Sequence, residues 1–230
     1  MTVHTLARKD QGWDDQLRDD EDPLSTNKVT GYSVNVPIVG TCRPTTVCAK
    51  TCYFASGPST WPAALRKQWR LMRSIEADPI RTAKRIVDSA ARKRLDFLRW
   101  NGGGDLFTEL VECINHAAAI SEIPHWVVSR KPELASKITP RPNVWVHFSV
   151  DKTSWGRLLD MRLMAPPTLQ WFYSYQCDKG ELPPPAAKTA RVIFRDSYVL
   201  DSPRLTNDCP LNGAKDITGM CRTCRRCFRP

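Results

Sequence analysis

DFLRWNGGGDLFTELVECINHAAAISEIPHWVVSR, residues 96–130, decides the fold. It reads as a strand (DFLRW), a glycine turn (NGGGD), a helix (TELVECINHAAAIS) and a second strand (HWVVSR). Two strands joined through a helix are parallel neighbours, because a tight turn cannot return the chain to run the same way. Working outward, the rhythm repeats. GYSVNVPIV (31–39) precedes this unit as a strand, and NVWVHFSVD (143–151), LQWFYSYQC (169–177) and ARVIFRDS (190–197) follow it. Helices are expected over STWPAALRKQWRLMRSI, with Ser59 or Thr60 as cap and Pro62 in the first turn, and after Asp78-Pro79, with Ile80, Ala83, Ile86, Val87 and Ala90 on one face. KPELASKI and TSWGRLLDMRLM supply two more, and ELPPPAAK stands as a loop where a helix would fit. The expected fold is α/β, a partial (β/α)6 barrel of mostly parallel strands with a cysteine-rich C-terminal metal-binding tail. Residues 1–30, polar and charged, read as a flexible arm, 31–200 as the barrel and 201–230 as the tail.

Each strand is apolar until its last residues and then turns polar: Asn101, Ser129-Arg130, Ser149 and Asp151, Tyr175-Gln176-Cys177, Arg195-Asp196. In parallel α/β barrels that C-terminal rim carries the chemistry. The composition is that of a globular protein, with 41% apolar and 25% charged residues, and no run is long enough for a membrane span. MTVHTLARKD has no signal-peptide core, so a cytoplasmic location is expected. Thirty-four Lys and Arg against 24 Asp and Glu leave a net charge of +10, which favours a polyanionic partner, nucleic acid or nucleotide first. Nine cysteines without a secretion signal point to metal or redox use rather than a disulfide framework.

Three of the nine lie in TCRPTTVCAKTCYFASG, residues 41–57. Cys42, Cys48 and Cys52 are separated by five and then three residues, not by the close pairs of a structural zinc site. Three thiolates on one loop would instead hold three irons of a 4Fe-4S cluster and leave the fourth open to a ligand. The alternative is zinc on these thiols with a fourth ligand from elsewhere, such as His116, His125 or His147.

Here the sequence resembles two known groups. A three-cysteine loop after the first strand, Cys52 followed by the aromatic Tyr53, and a glycine motif Gly102-Gly103-Gly104-Asp105 after the second strand resemble the radical S-adenosylmethionine (SAM) superfamily. The spacing departs from that superfamily's, which has three and then two residues between its cysteines. TCRPTTVCAKTCY, GGGD, FSVD and CRTCRRC, in that order from residue 41 to the tail, are similar to the phage-associated gene product 88 family. The first resemblance implies that an open iron binds SAM and that a low-potential donor delivers an electron to cleave it. The second implies the cytoplasm of a host cell. With SAM over the glycines, Tyr53, Gly102, Gly103, Gly104 and Asp105 become cofactor-binding candidates. Ser129 and Arg130 suit its carboxylate and Ser149 and Asp151 its ribose, with Lys152 able to serve either end. Read without that ligand, the glycines make a tight turn and Asp105 caps the next helix.

The tail carries Cys209, Cys221, Cys224 and Cys227, the last three as CRTCRRC. Four thiols can close a coordination shell, either a second 4Fe-4S cluster or zinc, and Arg222, Arg225, Arg226 and Arg229 are expected either to offset its charge or to contact phosphates. Cys113 reads as a packed core thiol. Cys177, at a strand end, is the candidate for a thiol near the reacting centre, with a packed core role as its alternative. Trp61 and Trp69 with Arg66, Lys67, Arg70 and Arg73 form either a nucleic-acid face or a solvated helix face. Two further functional classes stay open: a non-catalytic zinc or iron–sulfur nucleic-acid-binding protein, and an iron–sulfur enzyme that uses an open iron as a Lewis acid.

Overall fold

All six expected strands form, in one open sheet with a seventh at its edge. The computed structural model describes residues 15–178, 181–194, 207–210 and 220–227. In sheet order the strands are β1 (Ser25–Asn27), β2 (Gly31–Val34), β3 (Leu98–Trp100), β4 (His125–Ser129), β5 (Val144–Val150), β6 (Trp171–Gln176) and β7 (Val192–Phe194). β1 pairs antiparallel with β2, and every later neighbour is parallel. Sequence order equals spatial order, as in a barrel, yet β1 and β7 lie at opposite edges and the sheet does not close. The α/β, mostly parallel part of the expectation holds; the strands number seven, and they form an open sheet rather than a closed barrel. The alternation of strand and helix dictates parallel neighbours, but it carries no information on whether the first and last strands meet.

The helices are α1 (Ile38–Thr41), α2 (Thr46–Thr51), α3 (Pro62–Ala77), α4 (Pro79–Arg92), α5 (Thr108–Ala119), α6 (Pro132–Ala135), α7 (Gly156–Met164) and α8 (Met220–Cys224). α1 is a kinked turn, with Gly40 at φ 91°. The expected cap of α3 is displaced: Trp61 occupies the cap position without a side-chain bond, while Pro62 starts the helix. Asp78 caps α4 by accepting from the Arg81 amide at 2.8 Å. Ala83, Ile86 and Ala90 of α4 face the core, whereas Ile80 is exposed. ELPPPAAK ends in a 3-10 turn over Pro185–Thr189.

Strand alternation separates two faces. Val34, Leu98, Trp100, Val127, Val146, Phe148, Val150, Tyr173, Tyr175 and Ile193 pack with the helices into the main core. Phe97, Trp126 and Trp145 form a second apolar cluster, against which Val128, Phe172, Cys221 and Cys227 pack. Because β5 is buried on both faces, it reads as a near-continuous apolar run.

The expectation of a free arm up to residue 30 is corrected from residue 15 onward. Leu17 and Leu24 are buried in the main core. Arg85 donates to the carbonyls of Leu17, Arg18 and Glu21, Arg70 pairs with Glu21 at 2.9 Å, and Lys93 pairs with Asp22 at 2.8 Å. Basic residues of α3 and α4 thus hold this acidic segment: Lys67 donates to Leu24 O and Arg70 to Gln16 O. Residues 1–14, Arg195, Asp196 and Arg229 lie outside the described residues.

Candidate functional site

The cysteine loop follows β2 and lies over the C-terminal ends of β4, β5 and β6, where a buried network grips it at two points. Asp151, at the end of β5, has no exposed surface. Its Oδ2 accepts from the Thr45 hydroxyl and, at 2.8 Å, from Arg130 Nη1. Its Oδ1 accepts from the Thr153 amide and hydroxyl and from the Ser154 hydroxyl. Burial works to raise the Asp151 pKa, but the bonds from Thr45 and Thr153 and the Arg130 charge outweigh it and hold the carboxyl below its ordinary value. Thr45 also caps α2, accepting from the Cys48 amide at 3.1 Å. At the other end of α2, the Thr51 hydroxyl accepts from Gln176 Nε2 at 2.6 Å, while Gln176 Oε1 accepts from Arg130 Nη2 at 2.6 Å. The circuit Thr45–Asp151–Arg130–Gln176–Thr51 therefore clamps the six-residue helix that runs from just before Cys48 to just before Cys52.

Asp105 anchors the loop from the side of β3. Its Oδ1 accepts from the Ser129 hydroxyl at 2.7 Å and from the Leu106 amide at 2.8 Å, and its Oδ2 from the Arg130 amide at 3.3 Å. Its own amide donates to the Thr41 hydroxyl, one residue before Cys42, at 3.1 Å. Burial raises its pKa, and its hydrogen bonds oppose the rise only in part. The helix-cap reading of Asp105 is corrected: the cap position of α5 belongs to Phe107, which makes no side-chain cap bond.

The glycines are needed for close approach. A Cβ on Gly102 would sit 2.7 Å from Ser33 Oγ, and one on Gly103 would overlap the Phe54 ring. Gly104, at φ 81°, would bring a Cβ to 2.6 Å from Val36 O. Gly103 O accepts from the Val36 amide and Gly102 O from the Tyr53 hydroxyl at 2.5 Å. The space that these glycines leave open is filled by β2 and by the aromatic pair that follows Cys52.

Cys42, Cys48 and Cys52 are all half-buried. Burial pushes the Cys42 thiol up to about 12, with Asp105, Cys48 and Cys52 adding to the rise. Burial likewise raises Cys48; Arg130 opposes this, while Cys52, Asp151 and Asp105 add to it. Cys48 and Cys52 are thus close enough to Cys42 to oppose its ionisation, and a soft cation relieves such an opposition. Among the described residues, no group of three or more His, Cys, Asp or Glu side chains is arranged to hold a metal ion. The donor set fits such a group in kind.

The histidines offered as a fourth ligand sit elsewhere. His125 begins β4, at the strand end remote from the loop, and its Nδ1 accepts from Trp100 Nε1 at 3.0 Å. His147 is buried between the rings of Trp126 and Phe194. Burial holds His125 down at about 4; burial, then Arg99 and Arg191, hold His147 at about 3. His116 is half-buried on α5. Cys113 and Cys177 are buried in the main core. Ser149 points to the face away from the helices, and among the described residues its hydroxyl makes no hydrogen bond, while Lys152 pairs with Asp178 at 2.9 Å.

The tail thiols lie at the other end of the sheet. Burial raises Cys227, and Cys209, Cys221 and Cys224 add to the rise while Arg99 opposes it, so the four thiols share one neighbourhood. Sequence reasoning missed the anchoring roles of Thr41, Thr45, Thr51 and Gln176. Only the Thr45 spacing before α2, an N-cap signal, was there to find.

No helix among the described residues is long and apolar enough to cross a membrane. No curated protein matches the chain, and no solved structure does. The gene product 88 family model matches residues 6–230, which takes in the sheet, the clamped cysteine loop and the tail, and the chain belongs to that family.

Proposed function

We propose that Cys42, Cys48 and Cys52 hold a 4Fe-4S cluster whose fourth iron is open to SAM, and that the protein acts on a nucleotide or nucleic-acid substrate. When bound, cluster and SAM together supply one-electron chemistry, ending in removal of a hydrogen atom from the substrate after a low-potential donor has delivered an electron. The observation that carries this reading is the clamp on α2. A loop with three thiols is fixed at both ends to three strand ends, as a site that must hold its geometry requires. In this reading Thr45, Thr51, Asp105, Ser129, Arg130 and Asp151 are positioning residues. Both Arg130 terminal nitrogens are engaged, so it orients the loop through Asp151 and Gln176. Ser149, with its hydroxyl uncommitted, is the rim residue left to meet a ligand. Tyr53 covers the glycine turn. The net charge of +10 draws an anionic substrate toward the protein.

A second reading, a metal-stabilised nucleic-acid-binding protein without catalysis, is favoured by one observation: the rim carboxylates Asp105 and Asp151 are both satisfied by the chain itself. The test uses anaerobically purified protein beside the Cys42→Ala, Cys48→Ala, Cys52→Ala triple variant. Iron, sulfide and zinc are counted, and the EPR spectrum of the reduced protein is recorded with and without SAM. Loss of one cluster's iron in the variant and a SAM-dependent spectrum in the wild type are expected. Zinc without sulfide at this loop sinks the proposal in favour of the binding protein. A cluster indifferent to SAM sinks the radical chemistry and leaves the Lewis-acid enzyme.

A further inference from the structure

Residues 220–227 lie against the sheet face that carries Phe97, Trp126 and Trp145, and residues 207–210 against β7. On one side, the Cys221 amide donates to Val29 O, in the turn between β1 and β2, at 3.3 Å. Arg222 and Arg225 both pair with Asp96, just before β3. On the far side, the Ile193 amide of β7 donates to Asn207 O and the Cys209 amide to Ile193 O, each at 2.9 Å. Arg191 Nε, beside β7, donates to Arg226 O at 3.0 Å, and Arg226 donates to Asp208 O. The tail is therefore bonded to both edges of an open sheet. Between the edges, Cys221 and Cys227 pack on Phe97, Trp126 and Trp145.

The local geometry gathers the thiols in one neighbourhood, although among the described residues they are not set in a metal-holding arrangement. Cys221 and Cys224 are three residues apart on α8 and share a helix face. Arg225 then takes a left-handed conformation, φ 52°, which ends the helix and turns the chain so that Cys227 packs on the same aromatic cluster as Cys221. A one-turn helix has too few hydrogen bonds to form by itself, and short loop-rich segments of this kind are commonly held by a metal.

We propose that a metal draws Cys209, Cys221, Cys224 and Cys227 together into one tetrathiolate site that clasps the sheet, tying the β7 edge to the β1–β2 edge across the face that carries Phe97, Trp126 and Trp145. The metal is a soft cation, either zinc or the iron of a 4Fe-4S cluster, since both accept four thiolates. Arg99 and Arg191, stacked over Trp126 and Phe172, supply positive charge beneath it. This site stands independently of the Cys42–Cys52 reading.

The test is hydrogen exchange on the full chain, before and after the tail metal is withdrawn with a chelator, and on the Cys221→Ser, Cys224→Ser double variant. Metal, iron and sulfide are counted in each sample and in the first-loop triple variant. Iron with sulfide identifies a cluster and zinc without sulfide a zinc site, and either supports the proposal. The triple variant is expected to keep the tail metal and the double variant to lose it. On metal loss, the Ile193 amide and the β1–β2 amides should exchange at least tenfold faster while β5 stays protected. Unchanged metal in the double variant, or metal loss with both edges still protected, overturns the clasp. So does loss of β5 protection together with the edges, because the metal would then hold the whole fold rather than its seam.

Discussion

The two cysteine-bearing regions sit at opposite ends of the same sheet and are held by different physics. The Cys42–Cys52 loop is clamped by side chains: the buried Asp151–Arg130 pair and the threonines and glutamine on either side of it. The tail is held by several separate contacts: main-chain hydrogen bonds at both sheet edges, arginine side chains on Asp96 and on main-chain carbonyls, and aromatic packing. A buried ionic network depends on every partner, since removing one leaves a charge stranded in low dielectric. Main-chain bonds and apolar contact give way more gradually. The loop should thus respond sharply to single substitutions and the tail to the loss of several contacts at once.

The largest effect should come from Asp151→Ala. It leaves the Arg130 guanidinium buried without its carboxylate and frees Thr45, and a broken buried pair costs about 3–5 kcal/mol. Urea unfolding measures the loss, and thiol labelling locates it: Cys48 and Cys52 should label faster, while Cys221 and Cys224 keep their rates. Equal acceleration at both ends would show that the two regions form one cooperative unit.

Acid should act next, at two histidines buried on opposite faces of the sheet: His125 against Trp100 of the main core and His147 beside Trp126 under the tail. Folded His147 takes its proton only near pH 3 and His125 near pH 4. In the unfolded chain, histidine does so near about 6.5, so the unfolded state holds more protons below that pH. Stability therefore falls as pH drops from about 6.5 toward the folded values, by about 1.4 kcal/mol per pH unit for each histidine. Replacing His147 by Leu should remove one histidine's share of that slope, read from urea midpoints at pH 6.5 and 5. An unchanged slope would mean that His147 is protonated in the fold. Asp151, held low, keeps the loop clamp intact until more acidic pH, so loosening around the histidines should come first.

Gly103→Ala should cost about 1–3 kcal/mol, because the new methyl overlaps the Phe54 ring. Adding Phe54→Ala should make the double variant less destabilised than the sum of the singles; strict additivity would mean that the overlap is relieved elsewhere. The smallest effect belongs to the bridge between the regions. The Tyr53 hydroxyl accepts from Arg99, which lies over Trp126 under the tail. Tyr53 is 63% exposed, so Tyr53→Phe should cost less than about 1 kcal/mol. It should leave tail-thiol labelling unchanged; a changed rate there would reveal coupling through Arg99.

Much of this was legible in advance for a simple reason: the signals are local. Apolar runs marked β2 to β7, glycines marked the turn after β3, and Asp78-Pro79 marked the start of α4. The polar strand ends Ser129, Arg130, Asp151 and Gln176 do meet at one rim. Their partners were not legible, because Thr45 bonds Asp151 across 106 residues and Gln176 bonds Thr51 across 125. A threonine that clamps a distant strand end looks in sequence like any loop threonine. The alternative of Asp105 as a helix cap fails for the same cause: a carboxylate shortly before a helix resembles a cap until Ser129 arrives from another strand.

By itself the sequence determined the parallel order of six strands, the rim on which their polar ends gather, the grouping of seven thiols into a loop and a tail, and the family. Those follow from periodicity, chain direction and spacing, which a chain carries wherever it goes. Only the tertiary structure decided that the sheet stays open, that residues 15–24 are seated on α3 and α4, and that the tail lies against the face that carries Phe97, Trp126 and Trp145, at the end away from the loop. Each of those depends on which of several compatible surfaces meet. That choice is made by the summed burial and pairing of residues far apart in the chain.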